Sequence, residues 1–471
     1  FSTSTDDVVS LRQKVLDFKK FLEDFCRYPL DLVLLPRDDV RPASALAHSN
    51  ILVVAKTNHQ KDSKLFECPR TQLELSVDAI AITEFGEELD AAFSRGFFNV
   101  PANLSIILFM VHERQNPQSP WWPYINILPR DTLVKAIPLN WADAEFTDLK
   151  GTQIYEALRP LRKGKSLKRE YEKVVLPILK DGHVKHHLPQ SLVTYEEFEW
   201  AATVYRSRTF QHPVFAVRTT TANQQPENVS PMAYADAMDV HFELFNLYKE
   251  PRLSCISTEI PGIDGKSSEE MVEFMLQTDS KHGAPMYLGD TRRYSNAELL
   301  AYFGYCNPGS NPHDYIGIVV EFADPKMADY QRTTLARRGL TMDTVHEVSF
   351  SEHGKLVVPA DLIFALRISF LKETEKREVD EAMHDQPISK ANEYYTWKAL
   401  ENTADRALSK FPKTTPADDK AALASTPRGK KYFALQVRII ERKLWEALRR
   451  LASGHTGLKE SGGSRRPQTE G

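Results

Sequence analysis

Glycine is scarce in this chain, with 20 among 471 residues, and residues 29–82 contain none. Only glycine lets a ligand approach backbone without meeting a Cβ, so that stretch has no such wall to offer. Cysteine is scarcer still. Cys26, Cys68, Cys255 and Cys306 lie far apart and form no CxxC pair. This excludes a disulfide framework and a cysteine-rich zinc site, and points to a reducing compartment. No apolar run approaches the roughly 20 residues that a bilayer span needs. Nor is there a surplus of positive charge: the formal net charge is −4, so contact with nucleic acid or an anionic membrane would need a local patch.

At 471 residues the chain has room for two to four domains and at least one large core. Residues 5–28 place Val8, Leu11, Val15, Phe18, Leu22 and Phe25 at spacings of three and four, which predicts an amphipathic helix with a core-facing stripe. Apolar segments at Leu32–Leu35, Ile51–Ala55 and Leu73–Ile82, separated by polar turns, predict short strands of a small β-lobe. From Leu104 the chain turns helical. The basic stretch 159–187 ends in His183-Val-Lys-His186-His187. His183 and His187 have a metal-ligand spacing, but no acidic or thiol partner is near and Gly182 and Pro189 interrupt the helix. A solvated polar turn fits better. The start at Phe1 fits either a processed precursor or a trimmed chain, and the Gly/Ser-rich tail from Ser453 is expected to be disordered on its own.

The most informative stretch is Met286–Pro308, MYLGDTRRYSNAELLAYFGYCNP. Its Ser295-Asn296-x-Glu298-Leu-Leu core resembles the C-terminal signature of SET-domain methyltransferases, in the subgroup that contains the plant Rubisco large-subunit methyltransferase. Further motifs follow the same order along the chain: Ser119-Pro-Trp-Trp-Pro-Tyr124, Trp141 with Leu149-Lys-Gly151-Thr152, and Phe198-Glu-Trp200-Ala201 with Ser207-Arg208. From Ile316 to Leu451, Pro359, Leu366-Arg367 and Phe411-Pro-Lys-Thr414-Thr415-Pro-Ala-Asp418-Asp419 resemble the subgroup's substrate-binding domain.

The resemblance implies an α+β fold: a SET β-structure split by a helical insertion, then an all-α substrate-binding domain. The segments would be 1–40 (helical), 41–103 (SET N-part), 104–212 (insertion), 213–315 (SET C-part), 316–453 (C-terminal domain) and 454–471 (tail). It also implies an S-adenosylmethionine pocket, and there this sequence departs from the family. The Gly-x-Gly turn is missing, and the first glycine is Gly86. The asparagine–histidine pair beside the cofactor becomes Asp239-Val240. The tyrosine before the signature's first glycine becomes Leu288, and the terminal tyrosine that organises methyl transfer is Phe303. Arg208, beside the cofactor's amino-acid end in the subgroup, is kept. Tyr305 carries a hydroxyl two residues along, aimed elsewhere.

The last helix has chemistry of its own. Phe433, Val437, Ile440, Leu444, Leu448 and Leu451 form a buried stripe, while Arg438, Arg442, Trp445 and Arg449 lie on another face. Arginines interleaved with an exposed aromatic suit phosphate contact and base stacking; the same pattern also suits a solvated face of a helical domain. Together these observations imply a SET-fold protein that no longer methylates. It would have no cofactor and no metal, and would be a structural or assembly component of a large organellar complex such as a mitochondrial ribosome. Its partners would be proteins of that assembly, with RNA contact through the last helix and the Ser464-Arg-Arg466 tail, and no membrane. The competing readings are an active S-adenosylmethionine-dependent protein-lysine or histidine methyltransferase, and a chain in which only the C-terminal domain works, as a peptide-docking module.

Overall fold

The computed structural model describes residues 10–25, 32–36, 51–69, 74–94, 102–163, 166–180, 193–208, 216–219, 228–229, 237–239, 246–247, 253–261, 268–288 and 294–307, and then 309–457 apart from 310, 323, 325 and 380–385. The His183–His187 segment, most of the Pro/Asn/Gln/Thr-rich stretch 211–232, Val240 and the tail from 458 onward fall outside these residues.

Helix α1 (Leu11–Phe25) forms where the spacing predicts it, with Val15, Phe18 and Leu22 buried. The segment 1–40 is not wholly helical, however. β1 (Leu32–Pro36) pairs antiparallel with β2 (Ile51–Ala55), and both alternate buried and half-buried residues over one core. β3 (Lys64–Pro69) joins β9 (Leu253–Pro261) and β10 (Ser268–Leu276) in the order β3-β10-β9, so the two SET parts share a sheet across the insertion. The expected strand Leu73–Ile82 shortens to β4 (Glu74–Ser76), which pairs with β7 (Ala237–Asp239). Ser76 then caps α2 (Val77–Ala81) by accepting a hydrogen bond from the Ala79 amide at 3.1 Å. The family's glycine turn has no counterpart here; Gly86 serves packing instead. It lies in α3 (Glu84–Ser94), where a Cβ would sit 2.0 Å from the Ile80 carbonyl oxygen.

The insertion is built on α4 (Ala102–Arg114), whose residues 104–111 are all buried. Around it pack α5 (Trp122–Ile127), α6 (Asp131–Ala136), α7 (Asp143–Thr147), α8 (Gln153–Lys163), α9 (Ser166–Glu170), α10 (Leu176–Lys180) and α11 (Tyr195–Ser207). Two of the motif tryptophans, Trp200 and Trp141, are buried packing residues with satisfied N–H groups. Trp200 donates to the Pro129 carbonyl at 3.0 Å and Trp141 to the Ala136 carbonyl at 2.7 Å.

The C-terminal region opens on a sheet, not a helix. β12 (Tyr315–Val319) lies at the centre of a five-stranded sheet of order β14-β13-β12-β5-β6, with β5 (Ala216–Arg218), β6 (Asn228–Val229), β13 (Val345–Phe350) and β14 (Leu356–Val357). β12 runs parallel to β5, from the SET C-part, and antiparallel to β13. A domain boundary at 315/316 would therefore fall inside this strand. The remaining short strands are β8 (Asn246–Leu247) and β11 (Tyr287–Leu288), paired in parallel. The signature helix is α12 (Asn296–Phe303), and after β12 come α13 (Ala328–Ala336), α14 (Ala360–Ser369), α15 (Lys390–Lys410), α16 (Pro416–Ser425) and α17 (Lys430–Gly457).

Candidate functional site

The signature builds a knot of buried polar groups before it builds anything catalytic. Ser295 caps α12. Its hydroxyl accepts from the Glu298 amide at 3.2 Å and donates to the Glu298 carboxylate at 3.0 Å, and its own amide donates to that carboxylate at 2.9 Å. Asn296 donates from its backbone and side-chain nitrogens to the two Asp314 oxygens at 2.7 and 3.1 Å, and its side-chain oxygen accepts from the Asn307 amide at 2.8 Å. Gly304 ends the helix at φ 75°, where a Cβ would stand 2.4 Å from that of Ala136.

Asp314 is one of two buried acids at this junction whose carboxyls are pushed upward. Burial pushes its carboxyl up to about 7, against the pull of the Asn296 hydrogen bonds. The other is Glu441 on α17. It accepts from the Gln153 amide at 2.7 Å, and burial, reinforced by the neighbouring Asp314 charge, raises it to about 8. Both groups hold their protons more tightly folded than unfolded. Their contribution is therefore complete below the unfolded values near 4 and is lost as pH rises through about 7 to 8. Glu441→Gln keeps an acceptor for the Gln153 amide and cannot ionise. Urea denaturation across this range should show wild-type stability falling with pH more steeply than that of the variant, with the variant the more stable on the alkaline side.

Phe303, on the last turn of α12, stands where the family has its tyrosine. It is 1% exposed and meets the Tyr294 ring edge-on at 5.3 Å between centroids. Tyr305 is also buried, and burial holds its phenol well above its ordinary range. Arg208 caps the C-terminal end of α11. It is 1% exposed, with its guanidinium donating to the Ser207 hydroxyl at 2.6 Å. Asp239 ends β7, in register with Glu74 of β4. At the positions that the resemblance assigns to the family's S-adenosylmethionine pocket, this sequence has no glycine from 29 to 82, a phenylalanine without a hydroxyl at 303 and an acid at 239.

The expected nucleic-acid face on α17 does not exist as a face. Arg438, Arg442 and Trp445 are 8%, 4% and 0% exposed. α17 packs against α15 on one side and α16 on the other, so the residues beside its apolar stripe are covered as well. Both guanidiniums turn to Asp419 of α16, Arg438 at 2.7 Å and Arg442 at 3.1 Å. Arg449 alone of the four is exposed, 3.3 Å from Asp405. The stripe is right at Val437, Leu444 and Leu448, whereas Leu451 faces out at 37% exposure. Asp314, Gln153 and Asp419 were not foreseen as a group. Glu441 had a signal in the sequence: it falls at helical spacing between Val437 and Leu444, on the buried stripe.

Comparison with known proteins agrees with this architecture. A family model described as Rubisco LSMT substrate-binding matches residues 324–444. The crystal structure of an LSMT SET domain bound to lysine and AdoHcy superposes with a TM-score of 0.65, at 22% identity, over 94% of this chain and 92% of that one. This is a SET-domain fold of the Rubisco LSMT type. Rubisco LSMT bound to AdoMet superposes equally broadly, with a TM-score of 0.64 at 18% identity over 96% and 97% of the two chains. In sequence, the SET-fold chain is 24% identical to the chloroplastic Rubisco large-subunit N-methyltransferase of Pisum sativum over 379 residues, 78% of this chain and 68% of that protein. The chloroplastic fructose-bisphosphate aldolase-lysine N-methyltransferase of Arabidopsis thaliana is 23% identical over 73% of this chain and 67% of its own length. The actin-histidine N-methyltransferase of Danio rerio is 24% identical over 73% of this chain and 54% of its own length. Among the described residues no helix is long and apolar enough to cross a membrane, and no group of three or more His, Cys, Asp or Glu could hold a metal ion.

Proposed function

We propose that this chain is a SET-fold pseudo-methyltransferase, a binding or scaffold protein of a large organellar assembly such as the mitochondrial ribosome. The observation that carries this reading is Phe303. In SET chemistry no metal or general-base triad does the work, so transfer depends on positioning and electrostatics at a few fixed atoms. A buried phenyl ring at the hydroxyl position removes one of them, and the Tyr305 phenol is held elsewhere in the core. Titration calorimetry of the full chain with S-adenosylmethionine is expected to give no micromolar binding. Incubation with the methyl-labelled cofactor and lysate is expected to transfer no label, and the protein is expected to co-sediment with ribosomal particles from purified organelles. Micromolar binding would sink the reading that the cofactor is no longer bound, and absence from the particles would sink the assembly role.

The competing reading is an active protein N-methyltransferase. The relatives' established activities and the retained Arg208 favour it. It requires label transfer that Arg208→Ala abolishes while thermal melting shows the variant still folded.

A further inference from the structure

A groove of about 950 Å³ opens in the helical insertion, walled by α6, α7, α8, α9 and α11. It lies apart from Phe303, Arg208 and Asp239, none of which lines it. Its size falls within the range of ligand sites, about 300–1,000 Å³. Its base is apolar and closed, with Trp141 and Phe146 almost wholly buried and Tyr155 stacked on Phe146 at 4.7 Å.

The polar lining is unbalanced in sign, with five cations against two carboxylates, Asp143 and Glu199. Both carboxylates already have a partner. Asp143 pairs with Arg162 at 2.7 Å and Glu199 accepts from the Tyr195 hydroxyl at 2.9 Å. Arg162 is spent as well, donating to the carbonyls of Pro138, Leu139 and Trp141 at 3.1, 2.7 and 2.6 Å, a set of bonds that holds the wall in shape. Lys135 pairs with Asp131 at 3.4 Å and Lys168 with Glu172 at 4.0 Å, which leaves Arg159 and Lys163. They are exposed, one helical turn apart on α8, and have no ion-pair partner among the described residues.

From this charge complementarity we infer that the groove docks an acidic segment of a partner protein, its carboxylates on Arg159 and Lys163 and its aliphatic side chains against the half-buried Val134, Leu139 and Tyr155 of the lining. Nucleic acid fits less well. The largest rings of the base are covered and cannot stack on nucleobases, and Asp143 and Glu199 would lie against a continuous phosphate backbone. An acidic peptide can place its charges singly and avoid them. This inference does not depend on whether the chain methylates.

The test uses the full chain and a short fluorescein-labelled peptide alternating glutamate and leucine, read by fluorescence anisotropy at low salt. The expected result is saturable binding that weakens with salt, and that weakens roughly tenfold or more in the Arg159→Glu, Lys163→Glu double variant. Both positions are exposed, so the variant should melt as wild type does. Arg449→Glu, an exposed reversal far from the groove, should bind as wild type does. Absence of binding, or equal loss in the Arg449→Glu control, would overturn the proposal. So would tighter binding of a single-stranded RNA of equal charge with the same dependence on Arg159 and Lys163.

Discussion

Asp419→Ala should cost about 3–5 kcal/mol of folding stability, because it leaves two buried guanidiniums without their counter-charge. Asp419 is 1% exposed, and its two oxygens hold Arg438 at 2.7 Å and Arg442 at 3.1 Å, while the Thr414 hydroxyl donates to it at 2.9 Å. The arginines keep some partners after the change. Arg442 still donates to the carbonyls of Thr414 and Pro412, and Arg438 to that of Asp148. Those contacts satisfy N–H groups but do not neutralise charge. Asp419→Asn should therefore fall between wild type and Asp419→Ala in urea midpoint. Replacing Asp419, Arg438 and Arg442 together with leucine and methionine should recover most of the loss, since an apolar substitute for a buried ionic group is often neutral. An Asp419→Ala midpoint within error of wild type would show that solvent reaches the network.

Gly151→Ala should be comparably damaging, at about 2–5 kcal/mol from left-handed strain and overpacking together. Gly151 has φ of 94°, and a Cβ there would lie 2.6 Å from the Phe411 Cα and 2.9 Å from its backbone nitrogen. Backbone cannot rotate away as a side chain can. The contact joins the insertion to the turn after α15, so relief of the clash would have to separate the two regions. Gly354→Ala provides the comparison. Its φ is 73°, with nothing within 4 Å of the added atom, so it carries only the backbone term, about 1 kcal/mol. Thermal and urea denaturation of the pair separate the two contributions. Equal losses at both positions would refute the steric part.

What could be read from the sequence divides along physical lines. The Ser295–Leu300 core was legible because a capping box and the turn at Gly304 are local, written within ten residues. Asp314 was not, because its meaning comes from Asn296 reaching it across 18 positions and from burial that no local pattern announces. Arg438, Arg442 and Trp445 were misread because a charged residue beside an apolar stripe usually faces water. Here α16 meets the two arginines through Asp419 while Trp445 packs in the core with Ala404 and Ala407 of α15, and the acid that makes this tolerable sits next to the one that caps α16. Asp418 accepts from the Thr415 amide as the cap requires, while Asp419 turns inward. The strand at 315–319 was hidden because β12 is buried along its whole length and lacks alternation.

That strand has a mechanical consequence. β12 bonds to β5 from the SET part, is extended by the Thr219 amide on the Val319 carbonyl at 2.9 Å, and is gripped from the insertion by the Gln153 side chain, which bonds both the Gly317 carbonyl and amide. Three regions distant in sequence thus clamp one five-residue segment. A hinge between the SET part and the C-terminal helices would have to break this pairing, so the two act as a fixed jaw rather than as hinged arms. A chain cut at 316 would enter solution with the start of β12 removed and its SET neighbour absent.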